Sequence, residues 1–215
     1  MKNIFNNNLH LLENLFGKNL IAERRNRLLE IFKNTEQSWY NNLDRIKNKK
    51  IECLLIAEAP PWSENGTPRY FYNKIESSYH KRIWKTFFPF KAIPTDNEQA
   101  FNMLIDNKFL LIDSLPYAMN YKGKRNNENY QKLVKECICW WKEKLTDEKI
   151  GFTENVKISF AFKVNGNSII KALNGRILLQ NTQTIELNKE LIAADRSGYT
   201  NSERLREIFK LNYYI

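Results

Sequence analysis

The stretch Ile51–Trp62, IECLLIAEAPPW, decides how this chain folds. From Ile51 to Ala57 it is nearly all apolar, and Pro60–Pro61 closes it shortly after. A strand with one wet face alternates polar and apolar residues. A short, unalternating apolar run bounded by a turn signal marks a strand covered on both faces, as in a parallel sheet. Two further runs of this kind follow. Phe109–Ile112 (FLLI) is closed by Asp113, Ser114 and Pro116, and Val156–Phe162 (VKISFAF) precedes Asn165–Gly166–Asn167 and a helix expected over Ser168–Leu173. A weaker fourth run lies between Thr184 and Ala194.

Helical segments separate these runs, notably Asn97–Asn107 and Asn127–Leu145, and Thr200–Asn201–Ser202 supplies capping residues for a last helix through Phe209. Residues 1–48 also read as helical, with apolar positions recurring through Leu11, Leu12, Leu15, Phe16, Leu28, Ile31, Phe32, Trp39, Leu43 and Ile46. Strands alternating with helices predict a three-layer α/β/α domain around a mainly parallel four-stranded sheet. The expectation is one domain over 1–215, with a helical segment at 1–48 ahead of an α/β core at 51–215.

The chain has 215 residues, 42% of them hydrophobic and 13% aromatic, enough to fill a core. Its 34 Lys and Arg against 24 Asp and Glu give a formal charge of +10. Such a balance favours a polyanionic partner, because each phosphate neutralised releases condensed counterions; a plain bias toward Lys and Asn is the alternative source. No apolar run approaches a membrane span, and the opening MKNIFNNNLHLLENLF lacks a signal-type core, so a cytoplasmic protein is expected. Cys53, Cys137 and Cys139 are too few for a disulfide framework and read as reduced, structural thiols. With only His10 and His80 beside them, no metal site is expected; with only 7 Gly, neither is a nucleotide-binding loop. No cofactor is expected, and the chain is expected to be a monomer.

In parallel α/β sheets, ligands sit outside the carboxyl ends of the strands. Three strand ends carry unusual residues here. They are Glu58-Ala59-Pro60-Pro61-Trp62 with the cluster Arg69-Tyr70-Phe71-Tyr72, then Asp113-Ser114-Leu115-Pro116-Tyr117-Ala118-Met119-Asn120, and last Asp195-Arg196-Ser197-Gly198-Tyr199.

These stretches resemble the uracil-DNA glycosylase superfamily. LLIAEAPPW…RYFYN is similar to its first motif, a buried strand ending in a Gly-Glu-Ala-Pro-like turn, with Ala57 where glycine is usual. FLLIDSLPYAMN resembles the next strand and turn, VKISFAFKVNGNSIIKAL the third strand and its helix, and ADRSGYTNSERLREIF the DNA-intercalating loop and final helix. The likeness spans 51–209 in order and spacing, and residues 1–48 fall outside it. It implies hydrolysis of the N-glycosidic bond of a base swung out of DNA. Tyr70, Phe71 or Tyr72 would stack on that base, unless they fill core space, and Pro60 would line its pocket. Glu58 and Asp113 would be the catalytic carboxylates; with Ala59 at the third motif position, Glu58 or a water it holds would carry part of the work. Asn120 is a second base reader or a turn former. Arg69, Arg196, Ser197 and Asn201 would contact DNA.

An ionised Asp113 can only accept hydrogen bonds, which suits an exocyclic amine and points to a cytosine-like or modified base; its alternative is a turn cap. The sequence departs from the family in having no His in the last motif, where Asp195-Arg196-Ser197-Gly198 stands, and no four-cysteine cluster pattern. Two other readings stay open: a catalytically silent nucleic-acid binder, or a Mg²⁺-dependent nuclease using Glu58, Asp113 and Asp195.

Overall fold

The computed structural model describes residues 2–65, 70–180, 182–195 and 198–212. In chain order the elements are α1 (Lys2–Asn7), α2 (Leu9–Phe16), α3 (Lys18–Ile46), β1 (Lys50–Ala57), α4 (Ser78–Phe87), α5 (Asn97–Asp106), β2 (Phe109–Asp113), α6 (Glu128–Glu136), α7 (Ile138–Lys144), β3 (Gly151–Phe160), α8 (Lys163–Ala172), β4 (Arg176–Ile177), β5 (Ile185–Glu186) and α9 (Ser202–Phe209).

The central sheet is parallel, with β1 in the middle, in the order β2-β1-β3. The central strand is the one that ends in an unbroken apolar stretch, and its Leu54, Leu55 and Ile56 are fully buried. The register sets Ala57 beside Asp113 and Ile56 beside Phe160, so the three strands end level with one another. Backbone bonds carry the alignment one step further, from Ser114 N–H to the Ala57 carbonyl (3.0 Å) and from Ala161 N–H to the Ile56 carbonyl (2.9 Å). Between Ile51 and Cys53 the pairing with β3 slips from Phe152 to Lys157, which takes Thr153, Glu154, Asn155 and Val156 out of the ladder.

The expected fourth strand is reduced to a single parallel bridge, Phe160 to Ile192, among the described residues. Its chain is diverted on both sides. Ile185–Glu186 pairs antiparallel with Arg176–Ile177, and the Asn188 side chain then caps a short 3-10 turn at Lys189–Leu191 by accepting from Glu190 N–H. Asn165–Gly166–Asn167, read as a break, lies inside α8 instead. Gly166 is what lets that helix approach: a Cβ there would stand 2.8 Å from Phe160 Cβ and 3.1 Å from its Cγ. The Asn127–Leu145 segment is two helices joined at Cys137, and α4 is a helix that the apolar pattern did not announce.

One cluster of buried side chains runs from Phe5 to Phe209 and includes the N-terminal helices. The 29-residue α3 buries Ile21, Leu28, Ile31, Phe32, Trp39, Leu43 and Ile46 along one side. Phe5 packs on Phe32 and Tyr117 at centroid distances of 5.5 and 5.4 Å, and the Tyr117 hydroxyl donates to the carbonyls of Ile4 and Phe5. Cys53 and Cys137 are buried and Cys139 is exposed on α7. Among the described residues no helix is long and apolar enough to cross a membrane.

Candidate functional site

The level strand ends bring Glu58 and Asp113 next to each other in the fold, yet their carboxylates meet opposite surroundings. Glu58 follows β1 and is buried. Arg125 grips it through two parallel bonds, Nε to Oε1 and Nη2 to Oε2, both 2.7 Å, and the Tyr130 hydroxyl donates to Oε1 at 2.7 Å. Asn165 Nδ2 then donates to the Tyr130 hydroxyl (3.1 Å) and lies 3.1 Å from Ser114 Oγ, whose hydroxyl reaches the Glu58 carbonyl (3.1 Å). This network ties the ends of β1 and β2 to α6 and α8. A forked guanidinium–carboxylate pair with an added hydroxyl is the geometry that makes a buried ion pair worth keeping. Glu58 in turn raises the Arg125 pKa, chiefly through their hydrogen bond, and holds the guanidinium 5.3 Å from the centre of the Phe162 ring.

Asp113 ends β2 and is buried, 7% exposed. Its carboxylate makes no hydrogen bond to the described residues. It lines a cavity of about 320 Å³ together with Pro60, Pro61, Tyr70, Phe71, Tyr79, His80 and Phe162, a size in the range of small-molecule sites. Burial pushes its carboxyl up to about 7; Lys144 opposes this, while Glu58 and Glu36 add to it. The expectation of an ionised, accept-only Asp113 therefore changes. Near neutrality the group is divided between carboxylate and acid, and the acid both donates and accepts.

Two more polar groups reach this cavity. The Tyr79 hydroxyl is buried and has no hydrogen-bond partner among the described residues. His80 is 3% exposed, and its Nδ1 lies 3.0 Å from the Lys74 carbonyl. The apolar walls are fixed by ring packing: Phe71 meets His80 edge-on at 5.4 Å and Phe101 at 5.8 Å, and Tyr79 lies 5.7 Å from Phe162. Helix α4 starts at this wall because Ser77 caps it, its side chain accepting from His80 N–H. Tyr79 and Phe162 also line an adjoining cavity of about 320 Å³ with Ser78, Arg82, Tyr199 and Thr200, where the Arg82 guanidinium lies 5.7 Å from the Tyr199 ring.

The sequence-predicted residues divide accordingly. Pro60, Tyr70, Phe71 and Asp113 share the cavity lining. Tyr72 does not line it: its ring packs on Trp39 and Phe71, and its hydroxyl donates to the Leu111 carbonyl (2.6 Å) and accepts from Leu111 N–H (2.9 Å), serving the open edge of β2. Asn120 is exposed and accepts from Lys122 N–H, a local turn. Asn201 caps α9 by accepting from Arg204 N–H (2.9 Å). Arg69, Arg196 and Ser197 lie outside the described residues. Asp195 accepts from Tyr199 N–H within its own loop.

Arg125, Tyr130, Asn165, Tyr79 and His80 escaped the sequence reading. The first three bond to groups 35 to 72 residues away in the chain, a separation that no local pattern encodes. Ser77 ahead of an aromatic-rich segment was the one available signal for α4. Among the described residues no group of three or more His, Cys, Asp or Glu side chains is placed to hold a metal ion. A larger cavity of about 460 Å³ lies near Glu36, Tyr40, Trp140 and Lys144, but there the buried Lys144 amine and Glu36 are paired with each other at 2.5 Å. Comparisons with protein-family models, with curated proteins and with solved structures gave no match.

Proposed function

We propose that the chain is a DNA glycosylase of the uracil-DNA glycosylase type, whose Asp113 cavity receives a cytosine-like base swung out of DNA. The observation that carries this reading is a buried carboxyl without a hydrogen-bond partner among the described residues, in an aromatic-walled cavity at the carboxyl end of a parallel sheet. A carboxyl that costs stability to bury and has no hydrogen-bond partner among the described residues supports a ligand site. The net charge of +10 supports a polyanionic partner, and Arg82 stands beside the Tyr199 ring of the adjoining cavity.

Phe71 and Tyr70 supply flat apolar surface for a stacked base. As the neutral acid, Asp113 donates to the ring nitrogen of a cytosine edge and accepts from the adjacent exocyclic amine. Water bonds to the sugar C1′ as the C1′–N bond breaks and its electron pair stays with the base. The Asp113 proton passes to the departing base, and a proton from the water restores the acid through solvent. Glu58 is a positioning residue in this scheme: with three donors on its carboxylate, it holds Arg125 and the strand ends rather than a reacting water. The same occupancy weakens the nuclease reading, since Glu58 is already committed to Arg125 and Tyr130. Hypermodified cytosines of phage DNA fit the bias toward an exocyclic amine, in a monomeric cytoplasmic enzyme of defence or repair.

The test is incubation with chelator and labelled DNA carrying uracil, hypoxanthine, cytosine, hydroxymethylcytosine or glucosylated hydroxymethylcytosine, followed by hot alkali. Alkali-dependent breakage at the cytosine-type position is expected. Binding without breakage at any base would leave a DNA-binding protein that does not cut. Breakage without alkali that requires Mg²⁺ would replace this reading with a nuclease.

A further inference from the structure

The neutral form of Asp113 leaves a question of selectivity. A carboxylic acid pairs equally well with the ring nitrogen and amine of cytosine and with the oxo group and ring N–H of uracil. A second polar group must separate them, and His80 stands in the same cavity wall. A carbonyl oxygen can only accept, so the imidazole nitrogen facing the Lys74 carbonyl at 3.0 Å carries the ring proton. The other nitrogen, Nε2, makes no hydrogen bond to the described residues. The ring itself is fixed between the edge-on Phe71 at 5.4 Å and Tyr79 at 5.8 Å, and α4 anchors its backbone through the Ser77 cap.

Resting on the base-excision reading above, we propose that His80 is a specificity-determining residue: its Nε2 accepts from the second hydrogen of an exocyclic amine and thereby selects amino-bearing bases over their oxo counterparts. Burial lowers the imidazole pKa to about 4, so near neutral pH the ring is uncharged and Nε2 is a pure acceptor. Against uracil or thymine, that lone pair would face the lone pairs of an oxo group between aromatic walls, which repels and leaves both unpaired. Sites that use a buried hydrogen-bonding group in this way reject the mismatched analogue far more strongly than apolar pockets reject a change of size.

The test compares excision from otherwise identical duplexes carrying a cytosine-type base or its deaminated uracil-type partner, by kcat/KM. Wild type is expected to favour the amino base by at least about tenfold. His80→Asn places an amide nitrogen where Nδ1 stands, which keeps the bond to Lys74 and removes Nε2; the preference should collapse toward parity. His80→Gln extends an amide that can donate to an oxo group and should turn the preference toward uracil. Folding of each variant is checked by thermal melting. Variants that fold and excise with an unchanged amino-to-oxo ratio would overturn the role of His80 while leaving excision intact. So would a wild type that excises both bases equally, a result that needs no variant at all. Absence of abasic product from wild type with any base would instead overturn the excision reading, and this inference with it.

Discussion

Glu58 and Asp113 are two acids at the ends of neighbouring strands, one residue apart in register, and both are buried. Glu58 receives a forked arginine and a tyrosine hydroxyl, whereas Asp113 receives no hydrogen bond from the described residues and faces aromatic walls. A fully satisfied acid belongs to the fold. One that faces a cavity with no hydrogen bond from the described residues is open to a partner from outside. The comparison predicts that disturbing the two acids separates stability from activity, one acid governing each.

The largest effect is expected at the cavity acid. Asp113→Asn keeps the shape but removes the transferable proton, and kcat for base excision should fall by about 10²–10⁴, the usual contribution of a general acid. The same variant should melt at a higher temperature than wild type at pH 8. Folded Asp113 titrates near 7 against an ordinary value of 3.8, a difference on the order of a few kcal/mol against the fold once ionised. Glu58→Gln should behave in reverse. Loss of these charge-assisted hydrogen bonds should cost about 1.5–3 kcal/mol in denaturant unfolding, while the molecules that remain folded keep their excision rate. Loss of excision by Glu58→Gln at full stability would place the chemistry on the wrong acid here.

Linkage to pH sharpens the contrast. A raised acid pKa means the folded state holds more protons than the unfolded one between about pH 4 and 7, so Asp113 makes stability fall as pH rises through that window. His80 acts oppositely. Its pKa is lowered to about 4 from 6.5, so the unfolded state holds the extra proton and stability rises with pH across that range. Below about pH 6.5 the two slopes oppose each other, and between 6.5 and 7 only the downward one is left. The groups that act on Asp113 are Lys144, Glu58 and Glu36, and its charge in turn raises the pKa of Tyr70, Tyr72 and Tyr79. Asp113→Asn should remove the downward slope and His80→Asn the His80 part of the upward one, in melting series from pH 4 to 8. Excision by wild type should decline above pH 7 as the acid ionises. The smallest effect is expected from Tyr130→Phe, which removes one of the three donors on Glu58 and should lower stability by about 1.5–3 kcal/mol with little change in excision rate.

The sequence made the strands legible where apolar runs were long enough to be buried on both faces, and it made their ends legible as the place to look for chemistry. Asp113, Pro60, Tyr70 and Phe71, picked out that way, line one cavity. It failed where one residue serves two patterns. Tyr72 belongs to an aromatic cluster, yet its hydroxyl completes the backbone of β2. Gly166 sits between two asparagines and reads as a turn, yet close approach to Phe160 is why it is glycine. The fourth apolar run is interrupted by a side-chain-capped turn at Asn188 that leaves one bridge to the sheet among the described residues. Which acid would be gripped could not be read at all, because Arg125 and Tyr130 reach Glu58 from 67 and 72 residues away.

The most direct test of the difference between the two acids is a ¹³C NMR titration of the Asp113 side-chain carboxyl in aspartate-labelled protein, assigned with Asp113→Asn. A midpoint close to 7 is expected, together with a shift of the resonance when DNA carrying a cytosine-type base is added. A midpoint below about 5, or a resonance indifferent to that DNA, would contradict the claim that this acid is held neutral in a cavity built for a base.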